Sequence, residues 1–262
     1  MTFERKNSII IIVMGKYIHE KEFQVKYCEA DFKDQLKTSV ALSYMEEVAC
    51  SSADELGFGY EFVKPRGLAF VVSNVVFKCV RPIRLGEMVK VRTWPTVPTS
   101  AVFGREYAFV DETGAPVINA SSRWCLIDFA TGRILPSKTI DNQDYSTYNT
   151  DRVIENPVWK IPTFSIENEP VAFSMRVYNS EYDHNMHVNN TRYADYCLNC
   201  FSVDELKERY VSYFSIAYKK QCKEGDFLRF YRKEISENEY YVQGVNANNE
   251  IVTQGHVVFT KE

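Results

Sequence analysis

Hydrophobic and polar positions alternate along most of this chain, and the period lengthens to that of a helix in two places. The first begins near Ser39, where Val40, Tyr44, Val48 and Leu56 recur at helical spacing, with Thr38 or Ser39 as its cap. The second begins near Asn189 and carries Tyr193, Tyr196, Cys197, Cys200 and Phe201. Each pattern predicts a helix of about four turns. A strand rich in Val, Tyr and Phe precedes each helix, and three or four strands follow. The strands are separated at Arg84-Leu85-Gly86, Glu112-Thr113-Gly114, Lys223-Glu224-Gly225 and Asn246-Ala247-Asn248-Asn249. One long helix plus an antiparallel sheet is an α+β layer, and the chain spells it twice.

The doubling is a weak internal repeat. A shift of 150 residues sets Phe23–Leu56 on Phe173–Leu206, with Cys50 on Cys200 and Asp54-Glu55-Leu56 on Asp204-Glu205-Leu206. A second register sets Val75–Val91 on Phe214–Phe230, with Gly86-Glu87 on Gly225-Asp226. These matches predict an N-terminal domain over 14–132, a linker over 133–170 and a C-terminal domain over 171–262. The linker carries Pro136, Pro157, Pro162 and Pro170, and its length predicts that it packs across both halves.

Composition narrows the class. The 262 residues are 45% hydrophobic and 25% charged, an ordinary globular balance. A net charge of −4 lacks the basic excess of a nucleic-acid binder. Seven scattered cysteines imply no disulfide framework and point to a reducing cytoplasm. The longest apolar run, Ile9 to Met14, is far short of the roughly 20 residues of a membrane helix. Residues 1–13 read as an unstructured extension, with Met14 an equally sensible start.

Candidate chemistry lies in the loop before the second helix, Tyr182 to Tyr193. Asp183, Asn185 and His187 alternate, so an extended backbone would aim a carboxylate, an amide and an imidazole the same way. The first N–H groups of the helix, at Val188, Asn189 and Asn190, would stabilise an oxyanion. Under the 150-residue shift the first half has Lys33, Gln35 and Lys37 instead, which predicts one active site. Gln221-Cys222 stands where the first half has Pro82-Ile83. His184 alternates to the other face and reads as structural or exposed. Cys197-x-x-Cys200 lies mid-helix with no second ligand pair, which favours core packing over metal. No nucleotide-binding glycine loop appears, and no cofactor is expected.

The block Asp183 to Tyr193, with Tyr218-Lys219-Lys220-Gln221-Cys222 downstream, resembles the acyl-acyl-carrier-protein thioesterases. Val89 to Trp94 and Ser122 to Asp128 extend the resemblance. It implies two tandem hot-dog domains in a pseudo-dimer, each a sheet wrapped round one helix. It further implies hydrolysis of acyl carrier protein thioesters, with Asp183, Asn185 and His187 catalytic and a contribution from Gln221 or Cys222. The plant members have Glu at the position of Gln221, which as an amide is no base; the base here is then His187 or Asp183. Cys222 as covalent nucleophile is the competing version, with Lys219, Lys220 and Lys223 to lower its pKa. Arg192, Lys219, Lys220 and Lys223 are either a solvated basic face or the dock for an acidic carrier protein. The rival functions are an acyl-CoA thioesterase, a hot-dog dehydratase or hydratase, and a non-catalytic acyl-binding module. A monomer and a homodimer both fit.

Overall fold

The computed structural model describes residues 9–13, 16–140 and 145–262. Among them twelve strands form one antiparallel sheet. The N-terminal half contributes β1 (Ile9–Val13), β2 (Lys16–Gln24), the helices α1 (Thr38–Glu55) and α2 (Tyr60–Val63), then β3 (Leu68–Cys79), β4 (Met88–Pro95), β5 (Phe103–Val110), β6 (Pro116–Asp128) and β7 (Ile134–Leu135). The C-terminal half contributes β8 (Phe173–Arg176), α3 (Arg192–Leu198), α4 (Val203–Leu206), β9 (Arg209–Tyr218), β10 (Phe227–Ser236), β11 (Glu239–Val245) and β12 (Ile251–Lys261).

The strand order is β1-β2-β4-β5-β6-β3-β9-β12-β11-β10-β8, with β7 paired to β6. The order reads the same outward from the centre, since β9 answers β3, β12 answers β6 and β8 answers β2. The two halves meet where β3 pairs with β9. Val76 lies opposite Ser215, flanked evenly by Asn74 opposite Ala217 and Lys78 opposite Tyr213. That is the self-complementary geometry of a two-fold interface, made within one chain.

Each half buries a helix against its sheet. In α1, Ala41, Leu42, Tyr44, Met45, Val48, Ala49 and Ser52 are buried, three to four residues apart along one face. Val89, Val91, Tyr107, Phe109 and Val117 of the sheet meet that face in one core. Each such aliphatic or aromatic side chain contributes about 1.5–3 kcal/mol. Tyr193, Ala194, Tyr196 and Cys197 of α3 are buried likewise, with Cys200 and Phe201 just beyond, so Cys197 and Cys200 are core.

The structure corrects several expectations. The second helix does not begin near Asn189 and run four turns; α3 is only seven residues. Ser202 and Glu205 form a capping box that starts α4 instead, which ends the first helix early. Neither Thr38 nor Ser39 caps α1, whose N-cap is Lys37, without a side-chain bond. Residues 9–13 are a strand: Ile11 lies opposite Ile18 on β2. Residues 1–8 and Met14 lie outside the described residues.

The segment from Pro136 to Ala172 lies across both halves. Trp94 Nε1 donates to the Asp151 carbonyl (3.0 Å), and Arg152 pairs with the buried Glu106 (2.8 Å) in the first half. Gln243 and Gln254 of the second half donate to the carbonyls of Phe164 and Pro162.

Candidate active site

The loop before α3 is a tight turn, not an extended strand. The Asp183 N–H donates to the His187 carbonyl (2.8 Å), and Tyr182 bridges to Val188, so the loop closes on itself. Met186, at φ +60°, makes the reversal possible. Asp183 Oδ1 accepts the N–H of Asn185 at 2.8 Å and that of His187 at 3.4 Å. The carboxylate therefore holds the backbone of the two residues whose side chains carry the candidate chemistry.

The first half contains the same turn. The Asp31 N–H donates to the Gln35 carbonyl (2.7 Å), Ala30 bridges to Leu36, and Asp34 has φ +57°. Asp31 Oδ1 accepts the N–H of Lys33 at 2.8 Å and of Gln35 at 3.1 Å. Tyr44 donates to Glu29 at 2.7 Å, and Tyr196 donates to Glu181 in the same way. The halves thus correspond over this stretch with a shift of 152, two more than the 150 that side-chain likeness suggested. A slip of two keeps every strand residue on its face, so the apolar pattern alone does not detect it. In the correct register Asp183 matches Asp31, Asn185 matches Lys33 and His187 matches Gln35. Only the amide and the imidazole are peculiar to the second half.

A cavity of about 1260 Å³ opens at this loop and runs into the N-terminal half. Asp183, Asn185, His187, Val188, Asn189 and Asn190 line it, with Lys219, Lys220 and Gln221. Its other walls are apolar and aromatic, including Phe58, Phe70, Phe103, Trp124 and Ile140. The His187 ring lies 6.0 Å from that of Phe129, and the His184 ring 5.8 Å from that of Tyr60. His184 therefore faces the cavity, contrary to the alternation argument, because the turn brings both imidazoles to one rim.

Other expected site residues fall elsewhere. Cys222 is 1% exposed and sits in the main core, in the place that Ile83 fills in the first half. Burial pushes its thiol pKa up, although a hydrogen bond with Tyr193 opposes the shift. A nucleophile needs the reverse, so Cys222 is core. The Asn189 N–H is already donated to the Glu181 carbonyl (2.8 Å), and its Oδ1 accepts the Thr191 N–H (2.8 Å). The helix starts only at Arg192, so Val188 to Asn190 are not its free N-terminal donors. Arg192 is turned to Glu181 (3.7 Å) and Asp195 (3.9 Å), away from the cavity. Lys220 pairs with Glu250. Among the described residues Lys219 and Lys223 have no ion-pair partner.

The sequence reading missed the wall that α1 supplies. Ser43, Glu46, Cys50 and Ala53 recur at helical spacing beside the core stripe and line the cavity. Cys50 is exposed there, on the cavity wall. A small and polar stripe next to an apolar one was the available signal.

Residues 16–139 match the acyl-ACP thioesterase N-terminal domain, and residues 166–261 match the acyl-ACP thioesterase C-terminal domain. The chain belongs to the acyl-ACP thioesterase family. Among its relatives is the chloroplastic palmitoyl-acyl carrier protein thioesterase of Gossypium hirsutum, 23% identical over 83% of this chain and 55% of the relative. The chain spans about half the length of the curated relatives it matches. A crystal structure of an acyl-ACP thioesterase from Bacteroides thetaiotaomicron superposes with a TM-score of 0.83 at 26% identity, covering 93% of this chain and 98% of that one. The 12:0-ACP thioesterase from Umbellularia californica has a TM-score of 0.84 at 16% identity, covering 94% and 98%, and shares the fold. The architecture is the double hot-dog of these acyl-ACP thioesterases.

Proposed function

We propose that this chain hydrolyses the thioester joining a fatty acyl chain to acyl carrier protein and releases the free fatty acid. The observation that carries the reading is the polar rim on an apolar cavity. Asn185, His187 and Gln221 border an opening into about 1260 Å³ walled by aromatic side chains. Such a cavity takes a long hydrocarbon and leaves its polar end at the rim.

Hydrolysis needs two proton movements, one off the attacking water and one onto the departing sulfur. His187 carries an imidazole, a side chain that can both accept and donate a proton. The Asn185 amide donates to the thioester carbonyl oxygen, whose negative charge grows during attack. Asp183 acts through the loop backbone by fixing where these two side chains emerge. Lys219 and Lys220, on the cavity lining, and Lys223, three residues on from Lys220, are the candidate contacts for an acidic carrier protein. All seven cysteines are free, which suits a reducing cytoplasm.

The test is thiol release from matched acyl-carrier-protein and acyl-CoA substrates of medium and long chain length, with His187→Ala in parallel. Carrier-linked substrate should be preferred and its turnover lost in the variant. Equal turnover of both substrates would make the chain an acyl-CoA thioesterase. A folded chain that hydrolyses neither would reject the reading in favour of hydration chemistry or acyl binding.

A further inference from the structure

At the rim the C-terminal half brings one carboxylate, that of Asp183, which is partly engaged, and no wholly free one. Gln221 is an amide, and Asp183 Oδ1 is occupied by the N–H groups of its own loop. The opposite half of the pseudo-dimer supplies one. Glu46 stands on the face of α1 that also presents Ser43, Cys50 and Ala53, and lines the same cavity as Asn185, His187 and Gln221. Its side chain is half-buried, and among the described residues no hydrogen bond or ion pair engages its carboxylate. The next residue, Glu47, is by contrast held by Lys21 at 2.6 Å. A partly desolvated carboxylate without a partner is unfavourable for folding, and such groups gather at functional sites.

We propose that Glu46 is the general base of this hydrolysis, supplied to the catalytic loop by the N-terminal half. The inference rests on the thioesterase reading and assigns the first of its two proton movements. The Glu46 carboxylate takes a proton from water as the water oxygen bonds to the thioester carbonyl carbon. The carbonyl electron pair moves onto its oxygen. When that pair returns, the C–S bond breaks and sulfur leaves with the bonding electrons. The proton held by Glu46 passes through His187 to this sulfur, giving the free thiol and the fatty acid.

The surroundings of Glu46 suit a base. Burial raises its pKa above the ordinary carboxylate range, and the charge of Asp183 on the loop raises it further. His184 of the same loop opposes that shift, while Glu47 on its own helix adds to it. Tyr218 of β9 and Cys50, one turn along α1, also feel its charge, and His187, Lys219 and Lys220 line the same cavity. A raised pKa makes the ionised carboxylate a stronger proton acceptor.

The experiment measures kcat and KM for acyl carrier protein substrate across pH, in the wild type, Glu46→Gln and Glu46→Asp. Each protein is first checked by thermal melting. A base works when ionised, so the wild-type rate should rise with pH through the pKa of Glu46. Glu46→Gln should lower kcat about 10²-fold or more, leave KM within about threefold and lose that acid limb. Glu46→Asp should keep the limb with partial activity. A Gln variant with kcat within about threefold of wild type, or one slowed but with the acid limb unchanged, would overturn the proposal. Should the Gln variant fail to fold, an Asp variant without an acid limb would overturn it equally. If the wild type turns over no thioester, the function reading falls and this inference with it. Wild-type turnover with an unaffected Gln variant removes this inference alone.

Discussion

Asp31 is the structural twin of Asp183. Each accepts, on its Oδ1, the backbone N–H two residues on at 2.8 Å and the N–H four residues on, and each closes a turn with a left-handed residue at the fifth place from the bridge. Asp31 does so in a half that has Lys33 and Gln35 where the other has Asn185 and His187. The carboxylate is therefore what the turn requires of its backbone, and the chemistry is what the second half added to it.

The first prediction follows from that pairing. Asp183→Asn keeps an oxygen acceptor for the two N–H groups, whereas Asp183→Ala removes it. We expect the Ala variant to lose about 10²-fold in kcat and the Asn variant to retain at least ten times the activity of the Ala variant, since misplacing a catalytic group by about 1 Å can cost that much. Equal losses in steady-state assays would mean that the charge itself is required.

Cys222 should be dispensable for chemistry. It occupies the core position of Ile83 and lies 1% exposed. Cys222→Ala should keep kcat within about threefold and cost about 1–2 kcal/mol, read as a lowered melting temperature. A loss of turnover in a stably folded variant would return the thiol to the mechanism.

The counterpart of the active-site loop in the first half is sealed. Glu262 accepts from Lys33 (2.8 Å), from Gln35 and from Arg84 (3.1 Å), the residues matching Asn185, His187 and Lys223. Lys33 above all, with Gln35 and Arg84, pulls the Glu262 carboxyl down to about 2. A depressed folded-state pKa contributes stability that is present above the ordinary carboxylate value of 4.5 and lost as pH falls through 2. The cluster is solvated on one side, so its worth is about 1 kcal/mol or less. Glu262→Gln should melt below the wild type at pH 7, with the gap closing as pH falls towards 2. A gap that persists in acid would assign the effect to packing.

Among the described residues Lys219 and Lys223 have no ion-pair partner, whereas Lys220 is engaged by Glu250. Charge reversal at Lys219 or Lys223 should raise KM for the carrier-linked substrate several-fold and more than reversal at Lys220. The same changes should leave KM for a short pantetheine thioester unaltered. A parallel rise for both substrates would exclude a docking role.

What was legible in the sequence follows the range of the forces involved. Helical and strand periods, turn glycines such as Gly86 and Gly225 with positive φ, and the match of Gly86-Glu87 to Gly225-Asp226 are local signals. The hydrogen bonds bear out the last match: the Gly86 and Gly225 N–H groups donate to Val25 and Val177 in equivalent places. Low identity let the 150-residue shift pass for the true 152, and an alternating loop passed for an extended one, since neither error disturbs the apolar pattern.

The sequence by itself determined a doubled α+β chain with one loop, Asp183 to His187, richer in chemistry than its partner. Only the tertiary structure decided which of those side chains meet. The pairing of β3 with β9 joins residues about 140 positions apart, and it turns one face of α1 towards the loop of the other half. Burial then separated Cys222 from Gln221, next to each other in the chain, one to the core and one to the rim. The same packing brought Glu46 to the cavity, where periodicity had marked only a helix. Local patterns report the neighbours along the chain; a site built across two halves depends on contacts that no local pattern contains.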